Sequence, residues 1–395
     1  MLAFTFPGQG SQRAGMGQAW VDHPSWELVA DASDAAGRDL AALLLEADAD
    51  ELKRTDNAQL ATYLTSLVVL DAIERVGIDA AACAGHSLGE YTALTAAGVI
   101  AFEDAIRVVT ERGGAMAEAA ELRRGTMAAV LGLADDDADA ACRLADGEAW
   151  VANYNAPGQV VLAGDPDSVD AAIAAAKGLG AKKAMPLPVS GAFHTPFMAP
   201  ARDRLRKAIS DCATHEPDVT VIANVDARAH DSAADWPALL SAQLCSPVRW
   251  RHTLLRLAES GTTTFVEIGP GGVLTGLAKR TVPDARAFAV ATPDDLDKLL
   301  EALAAPVIES DRLPHGEHLH MSERLVVSPA AGVFEAAPAS ESAGAEGELV
   351  EVGELLGTVG SHDVRSPFAG WLMGMLALPG ERLTAGQPVA WLRSS

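Results

Sequence analysis

The run Gly85-His86-Ser87-Leu88-Gly89 sets a serine between two glycines, with a short, small and largely apolar stretch before it and helical periodicity resuming after it. A serine at such a strand-to-helix turn is lifted clear of the sheet edge. The next amide and the helix N-terminus then face any oxyanion that develops beside it. Given a base, the chemistry on offer is nucleophilic acyl transfer through Ser87. His86 is adjacent, but neighbours at a sharp turn project in different directions, so it is expected to point away from the hydroxyl. His194, within PVSGAFHTPFM on a loop between a strand and a helix, is the candidate base. Taken singly, an N-capping serine and a surface histidine would account for the same residues.

The elements around these residues alternate in type. LAFTFPGQGSQ reads as a buried strand ending in a glycine-punctuated loop, and helical periodicity then runs to about Val76. A strand leads into the serine turn, a helix follows from Glu90 to Gly98, and another from Phe102 to Ala119 carries Arg112. Strands alternating with helices predict a mostly parallel sheet. From Arg124 to Val189 a compact unit reads strand (127–133), helix (135–145), two strands (149–155 and 159–164) turned by Ala156-Pro157-Gly158, helix (167–178) and strand (184–189). That βαββαβ order predicts a ferredoxin-like insert. A helix from Pro200 to Cys212, the strand VTVIANV, a helix through Gln243 and the strand TTTFVEIGP complete the main domain.

Composition removes whole classes of function. Of 395 residues 49% are hydrophobic, enough for a sizeable core and two or three domains, and the formal net charge of -24 repels nucleic acid and anionic membrane. No apolar run is long enough to span a bilayer, and MLAFTFPGQG lacks the layout of a signal peptide, so a cytoplasmic location is expected. Cys83, Cys142, Cys212 and Cys245 make no CxxC pair, which leaves neither a disulfide framework nor a zinc site and predicts reduced thiols.

Taken together, FPGQGSQ at Phe6, TDNAQ at Thr55, GHSLGEYTAL at Gly85, TERGGAM around Arg112, NYNAPGQVVLAG at Asn153, GAFHTPFM at Gly191, QLCSPVRW at Gln243 and VEIGPGGVL at Val266 resemble the malonyl-CoA:acyl-carrier-protein transacylases over about residues 1–300. The resemblance implies malonyl-CoA and an acyl carrier protein as substrates, coenzyme A as product and no covalently bound cofactor or metal. It makes Ser87 the acyl acceptor and His194 the base and later acid, with Gln243 in the position whose backbone carbonyl orients the imidazole in place of an aspartate. Gln9 and Leu88 supply the oxyanion-hole amides, Gly8 and Gly10 letting the first loop approach closely. Arg112 receives the malonyl carboxylate through paired charge-assisted hydrogen bonds, although an arginine in an amphipathic helix is ordinarily a solvated-face residue. Gln59 and Asn155 fall at substrate-binding positions, and Phe193 in GAFH resembles the pattern that crowds out an α-methyl group. Arg249, Arg251, Lys279, Arg280, Lys182 and Lys183 are candidates for docking the anionic partners.

The C-terminal seventy or so residues depart from that family. SPAAGV at Ser328 recurs as SPFAGW at Ser366, and GELVEVGELLGTV at Gly347 as GERLTAGQPVAWL at Gly380. The repeat resembles a biotinyl or lipoyl carrier domain, yet its tip reads Val359-Gly-Ser-His-Asp-Val364 and Lys298 is the last lysine, so no amine is present to bear a swinging arm. Before it, HGEHLH brings together His315, His318 and His320, read as a polar linker rather than a metal site. The fold reading is therefore α/β: an α/β-hydrolase-like core with a parallel sheet (1–123 and 190–303), an inserted ferredoxin-like subdomain (124–189), a linker (304–324) and a small all-β barrel-sandwich domain (325–395). A serine thioesterase or esterase and a non-catalytic scaffold remain the alternatives to a transferase.

Overall fold

The computed structural model describes residues 1–189, 191–304, 323–337, 348–367 and 369–393. The chain divides into two compact units, Met1–Pro306 and Val307–Ser395. In the first unit, β1 (Leu2–Phe6) is followed by three short helices, α1 (Leu28–Ala36), α2 (Leu40–Leu45) and α3 (Ala49–Lys53), and by the long helix α4 (Thr55–Arg75). Seventeen residues of α4 are buried on every side, so it is a central helix and not an amphipathic surface one. Next come β2 (Ala82–Gly85), α5 (Gly89–Ala96) and α6 (Phe102–Leu122).

The segment that follows contains β3 (Thr126–Leu131), α7 (Asp135–Leu144), β4 (Ala149–Ala156), β5 (Gln159–Gly164), α8 (Pro166–Gly178) and β6 (Lys183–Pro186). Its strands form a separate antiparallel sheet in the order β4-β5-β3-β6. Strand alternation divides the two faces: Ala128, Val130, Val160 and Leu162 pack under α7 and α8, whereas Met127 and Val161 turn toward a cavity on the other side. The last strand is shorter than 184–189, because the chain leaves the ladder after Pro186 on its way toward His194.

The main sheet then resumes through α9 (Ala199–Ser210), β7 (Thr220–Ile222), β8 (Ala229–His230), α10 (Trp236–Gln243), α11 (Trp250–Glu259), β9 (Thr264–Ile268), α12 (Val273–Thr281), β10 (Arg286–Val290) and α13 (Pro293–Ala304). Its order is β10-β9-β1-β2-β7-β8, parallel throughout except for the terminal β7–β8 pair. VTVIANV is strand only through Ile222; Ala223 and Asn224 depart because Asn224 is drawn into hydrogen bonds with the serine turn. No helix among the described residues is long and apolar enough to cross a membrane. The helix α13 continues through Ala304, one residue into the expected linker, and the histidines His315, His318 and His320 lie outside the described residues.

Among the described residues of the second unit the regular elements are antiparallel strands: β11 (Glu323–Val327), β12 (Gly332–Ala336), β13 (Leu349–Val350), β14 (Leu355–Val359), β15 (His362–Arg365), β16 (Gly370–Met375), β17 (Arg382–Leu383) and β18 (Pro388–Arg393). They form two four-stranded sheets, β11-β18-β16-β13 and β15-β14-β12-β17. The sequence repeat is visible as crossed hydrogen bonds. Ser328 N donates to Gln387 O at 2.8 Å as Ser366 N donates to Glu354 O at 2.9 Å, and Phe334 N donates to Glu381 O as Leu372 N donates to Glu348 O, both at 2.8 Å. Each half thus completes the other around a core that includes Phe334, Val350, Leu356, Leu372, Val389 and Leu392. The tip between β14 and β15 is the two-residue turn Gly360-Ser361, with Gly360 at φ 62°.

Candidate active site

All strands of the main sheet but the edge strand β8 run the same way, so the loops after β1 and β2 emerge side by side at the carboxyl edge, where sites form in such sheets. Phe6 pairs with Gly85, which brings FPGQG against the serine turn. The approach is tight: a Cβ on Gly8 would lie 2.4 Å from His86 O, and one on Gly89 would lie 2.0 Å from Phe6 O. Only glycine permits this docking. Ser87 itself sits in the left-handed region at φ 54°, the sharp bend that lifts its hydroxyl.

Ser87 Oγ lies 2.8 Å from His194 Nε2. His194, buried and itself left-handed at φ 61°, comes from the loop after the insert; Thr195 beside it accepts the Phe197 amide and donates to Ala192 O, which fixes the loop. His194 Nδ1 lies 2.9 Å from Gln243 O. A carbonyl oxygen only accepts, so Nδ1 carries the proton and Nε2 presents a lone pair to the serine hydroxyl. Burial, reinforced by the nearby Arg112 charge, pushes the imidazole down to about 3, so the ring is neutral over the physiological range. His86 turns away, its Nε2 2.9 Å from Asn155 Oδ1 and its ring edge-on to Trp250.

Arg112 is 1% exposed. Buried positions Ala105, Val109, Arg112, Met116 and Ala119 recur at helical spacing on α6, so the guanidinium belongs to the apolar stripe and not to a solvated face. It donates from Nη1 to Gln59 Oε1 at 2.6 Å and from Nη2 to Ser87 Oγ at 3.0 Å and Gln243 Oε1 at 2.9 Å, with its carbon 5.1 Å from the Tyr91 ring centre. Desolvation lowers its pKa, and no carboxylate makes an ion pair with it among the described residues. A cation whose hydrogen-bond partners are all neutral, beside a nucleophile, has the chemistry to receive a small carboxylate.

A cavity of about 220 Å³ opens onto Ser87 and His194, walled by Phe193, Met116 and Val161 on one side and Leu274 of α12 on another. Gln9 and Asn155 also line it, whereas Gln59 and Gln243 are fully buried behind it with their amides on Arg112. Leu88 is buried at the start of α5. Among the described residues neither the Leu88 nor the Gln9 amide donates a hydrogen bond. Two residues not expected from sequence complete the floor. Asn224 accepts the Ser87 amide at 2.8 Å and donates to Gly85 O at 2.7 Å, and Glu90 accepts the Asn224 amide at 2.6 Å. Of the basic residues named for docking, Arg251 is paired with Asp135 at 2.7 Å, while Lys279 and Arg280 are exposed on α12. No group of three or more potential metal ligands occurs among the described residues.

Residues 3–295 match the acyl transferase domain family. The malonyl CoA-acyl carrier protein transacylase of Bacillus subtilis (strain 168) is 41% identical over 310 residues, covering 76% of this chain and 97% of that protein. The chain belongs to the malonyl-CoA:acyl-carrier-protein transacylases. Its transacylase portion superposes on the crystal structure of the acyl-carrier-protein S-malonyltransferase of Burkholderia pseudomallei 1710b with a TM-score of 0.73 and 40% identity, covering 76% of this chain and 99% of that one. A second solved transacylase, captured with a type II polyketide synthase acyl-carrier protein, matches with TM-score 0.73 and 40% identity over 76% of this chain and 99% of that one. The fold shared with these transacylases is mixed α/β, a parallel sheet accompanied by antiparallel ones.

Proposed function

We propose that this chain transfers a malonyl group from malonyl-CoA to the phosphopantetheine thiol of an acyl carrier protein through an ester on Ser87. The observation that carries the reading is the hydrogen-bonded line from Gln243 O through His194 to Ser87 Oγ, with Arg112 donating to the same oxygen. His194 Nε2 takes the hydroxyl proton as Oγ attacks the thioester carbonyl. The oxyanion is received by the Gln9 and Leu88 amides. Collapse releases coenzyme A, whose sulfur takes the proton back from His194. The carrier thiol then enters the same cavity, gives its proton to His194 and attacks the ester; Ser87 Oγ leaves and takes that proton back from His194, so one base serves both half-reactions.

Arg112 selects the acyl group: a malonyl carboxylate exchanges the neutral partners of the guanidinium for an anion, whereas an acetyl group gains nothing there. Phe193, in the cavity wall, narrows the space beside the acyl α-carbon. Lys279 and Arg280 lie on the same helix as the cavity-lining Leu274 and Leu277, which favours that helix as a landing site for the anionic carrier.

The finer architectural reading follows the same lines. The core is α/β-hydrolase-like, the strand order β4-β5-β3-β6 supports a ferredoxin-like insert, and the crossed halves of the second unit support a biotinyl/lipoyl-like barrel without its lysine. A cytoplasmic setting suits this chemistry. Intact-mass spectrometry after incubation with malonyl-CoA tests the function: a malonyl adduct is expected, absent in Ser87→Ala and discharged by carrier protein. Release of coenzyme A with no adduct and no malonyl carrier would overturn it.

A further inference from the structure

Glu90 has no step in the transfer described above, yet its carboxylate is the most completely buried in the site at 0% exposure. It stands in the first turn of α5, where acidic residues are common because the helix dipole favours them at the surface. Here it meets two donors from separate segments. Oε1 accepts the Asn224 backbone amide at 2.6 Å and Oε2 accepts the Gln243 side-chain amide.

Each donor continues into the reacting groups. Asn224 bridges the serine turn, accepting from Ser87 N and donating to Gly85 O. The Gln243 nitrogen also donates to Ser87 O at 2.8 Å, its Oε1 accepts from Arg112, and its backbone oxygen accepts from His194. A side-chain amide has a donor end and an acceptor end. With a carboxylate and the Ser87 carbonyl on one side, only the oxygen end is left for the guanidinium. The reversed amide would set its hydrogens against a cation and its oxygen against two oxygens.

We infer that Glu90 is a positioning residue for the transfer, its carboxylate orienting Gln243 and Asn224 so that Ser87, His194 and Arg112 share one geometry. The inference rests on the malonyl-transfer reading. Both groups facing Glu90 are donors, so a protonated carboxyl, or a glutamine, must turn its own hydrogens toward one of them and lose that contact. Burial raises the carboxyl to about 7; Asp226 adds to the rise, while the Asn224 and Gln243 hydrogen bonds and the Arg112 charge oppose it. Of the other titratable neighbours, Tyr91 is pushed up to about 12 and His194 down to about 3, so neither changes charge near neutrality, and desolvation holds His86 below its usual value.

The test is single-turnover malonylation of the full chain, followed by quenched intact-mass spectrometry from about pH 5.5 to 8.5. Amplitude counts competent molecules and the rate constant reports geometry. For the wild type the rate constant is expected to rise as Glu90 ionises near neutrality. Glu90→Gln should keep the amplitude, lower the rate constant by about tenfold to a hundredfold and remove that pH limb, with Glu90→Asp in between. A Glu90→Gln rate constant within about threefold of the wild type, with the limb intact, would overturn the inference. So would a flat wild-type profile, which needs no variant. Absence of any malonyl adduct on the wild type would instead sink the malonyl-transfer reading.

Discussion

Arg112→Ala separates substrate recognition from the rest of the machinery. In the resting site the guanidinium has neutral acceptors only, three oxygens at 2.6, 2.9 and 3.0 Å. A malonyl carboxylate would add two charge-assisted hydrogen bonds of about 1.5–3 kcal/mol each. Because those bonds partly replace existing ones, the lower end of the sum, about 3 kcal/mol, is the better estimate, which is about a hundredfold in kcat/KM. The alanine also removes the contact to Ser87 Oγ and frees Gln243, losses that burden every acyl group alike. The discriminating quantity is therefore the ratio of kcat/KM for malonyl-CoA to that for acetyl-CoA, measured by coenzyme A release in the presence of carrier protein. That ratio should fall by about a hundredfold, since the shared losses cancel in it. A ratio within about twofold of the wild type, whatever happened to the absolute rates, would refute the carboxylate role.

Three further outcomes follow from the packing and the buried charge. A chain ending at Ala304 should fold and keep its malonyl transfer, because 76% of this chain already covers 97% of the Bacillus subtilis relative; inactivity with a native circular-dichroism spectrum would contradict this. Gly89→Ala should cost about 3 kcal/mol or more in chemical denaturation, since the new Cβ would fall 2.0 Å from Phe6 O. Glu90 holds its proton up to about 7 in the fold but only to its ordinary value of 4.5 when unfolded. The folded state therefore binds more protons across that window, and stability should decline as pH rises through it, by about 3 kcal/mol relative to Glu90→Gln; a difference independent of pH in urea melts would disprove the burial argument.

The serine turn was legible because glycine at two fixed offsets is a backbone demand, and the backbone demand was visible in five letters. His194 was reachable only through a loop position that many histidines share; what makes it a partner is the path of the chain after the insert, which no local pattern records. Arg112 was obscured by a habit of reading charge as surface, although Ala105, Val109, Met116 and Ala119 already marked its stripe. Glu90 and Asn224 were missed for opposite reasons. One looked like an ordinary acidic first-turn residue, and the other was absorbed into a strand pattern that ends two residues earlier. Element boundaries in the insert moved by no more than three residues, most at β6, where the chain must peel away to deliver the imidazole.

Ser87 and His194 both hold backbone angles that L-residues disfavour, at φ 54° and 61°. Neither is at ease as a peptide unit, and glycine at either place would relieve a strain of about 1 kcal/mol or more. Torsion alone would thus favour glycine at both places, so the two reacting groups are held by the structure around them against torsional comfort.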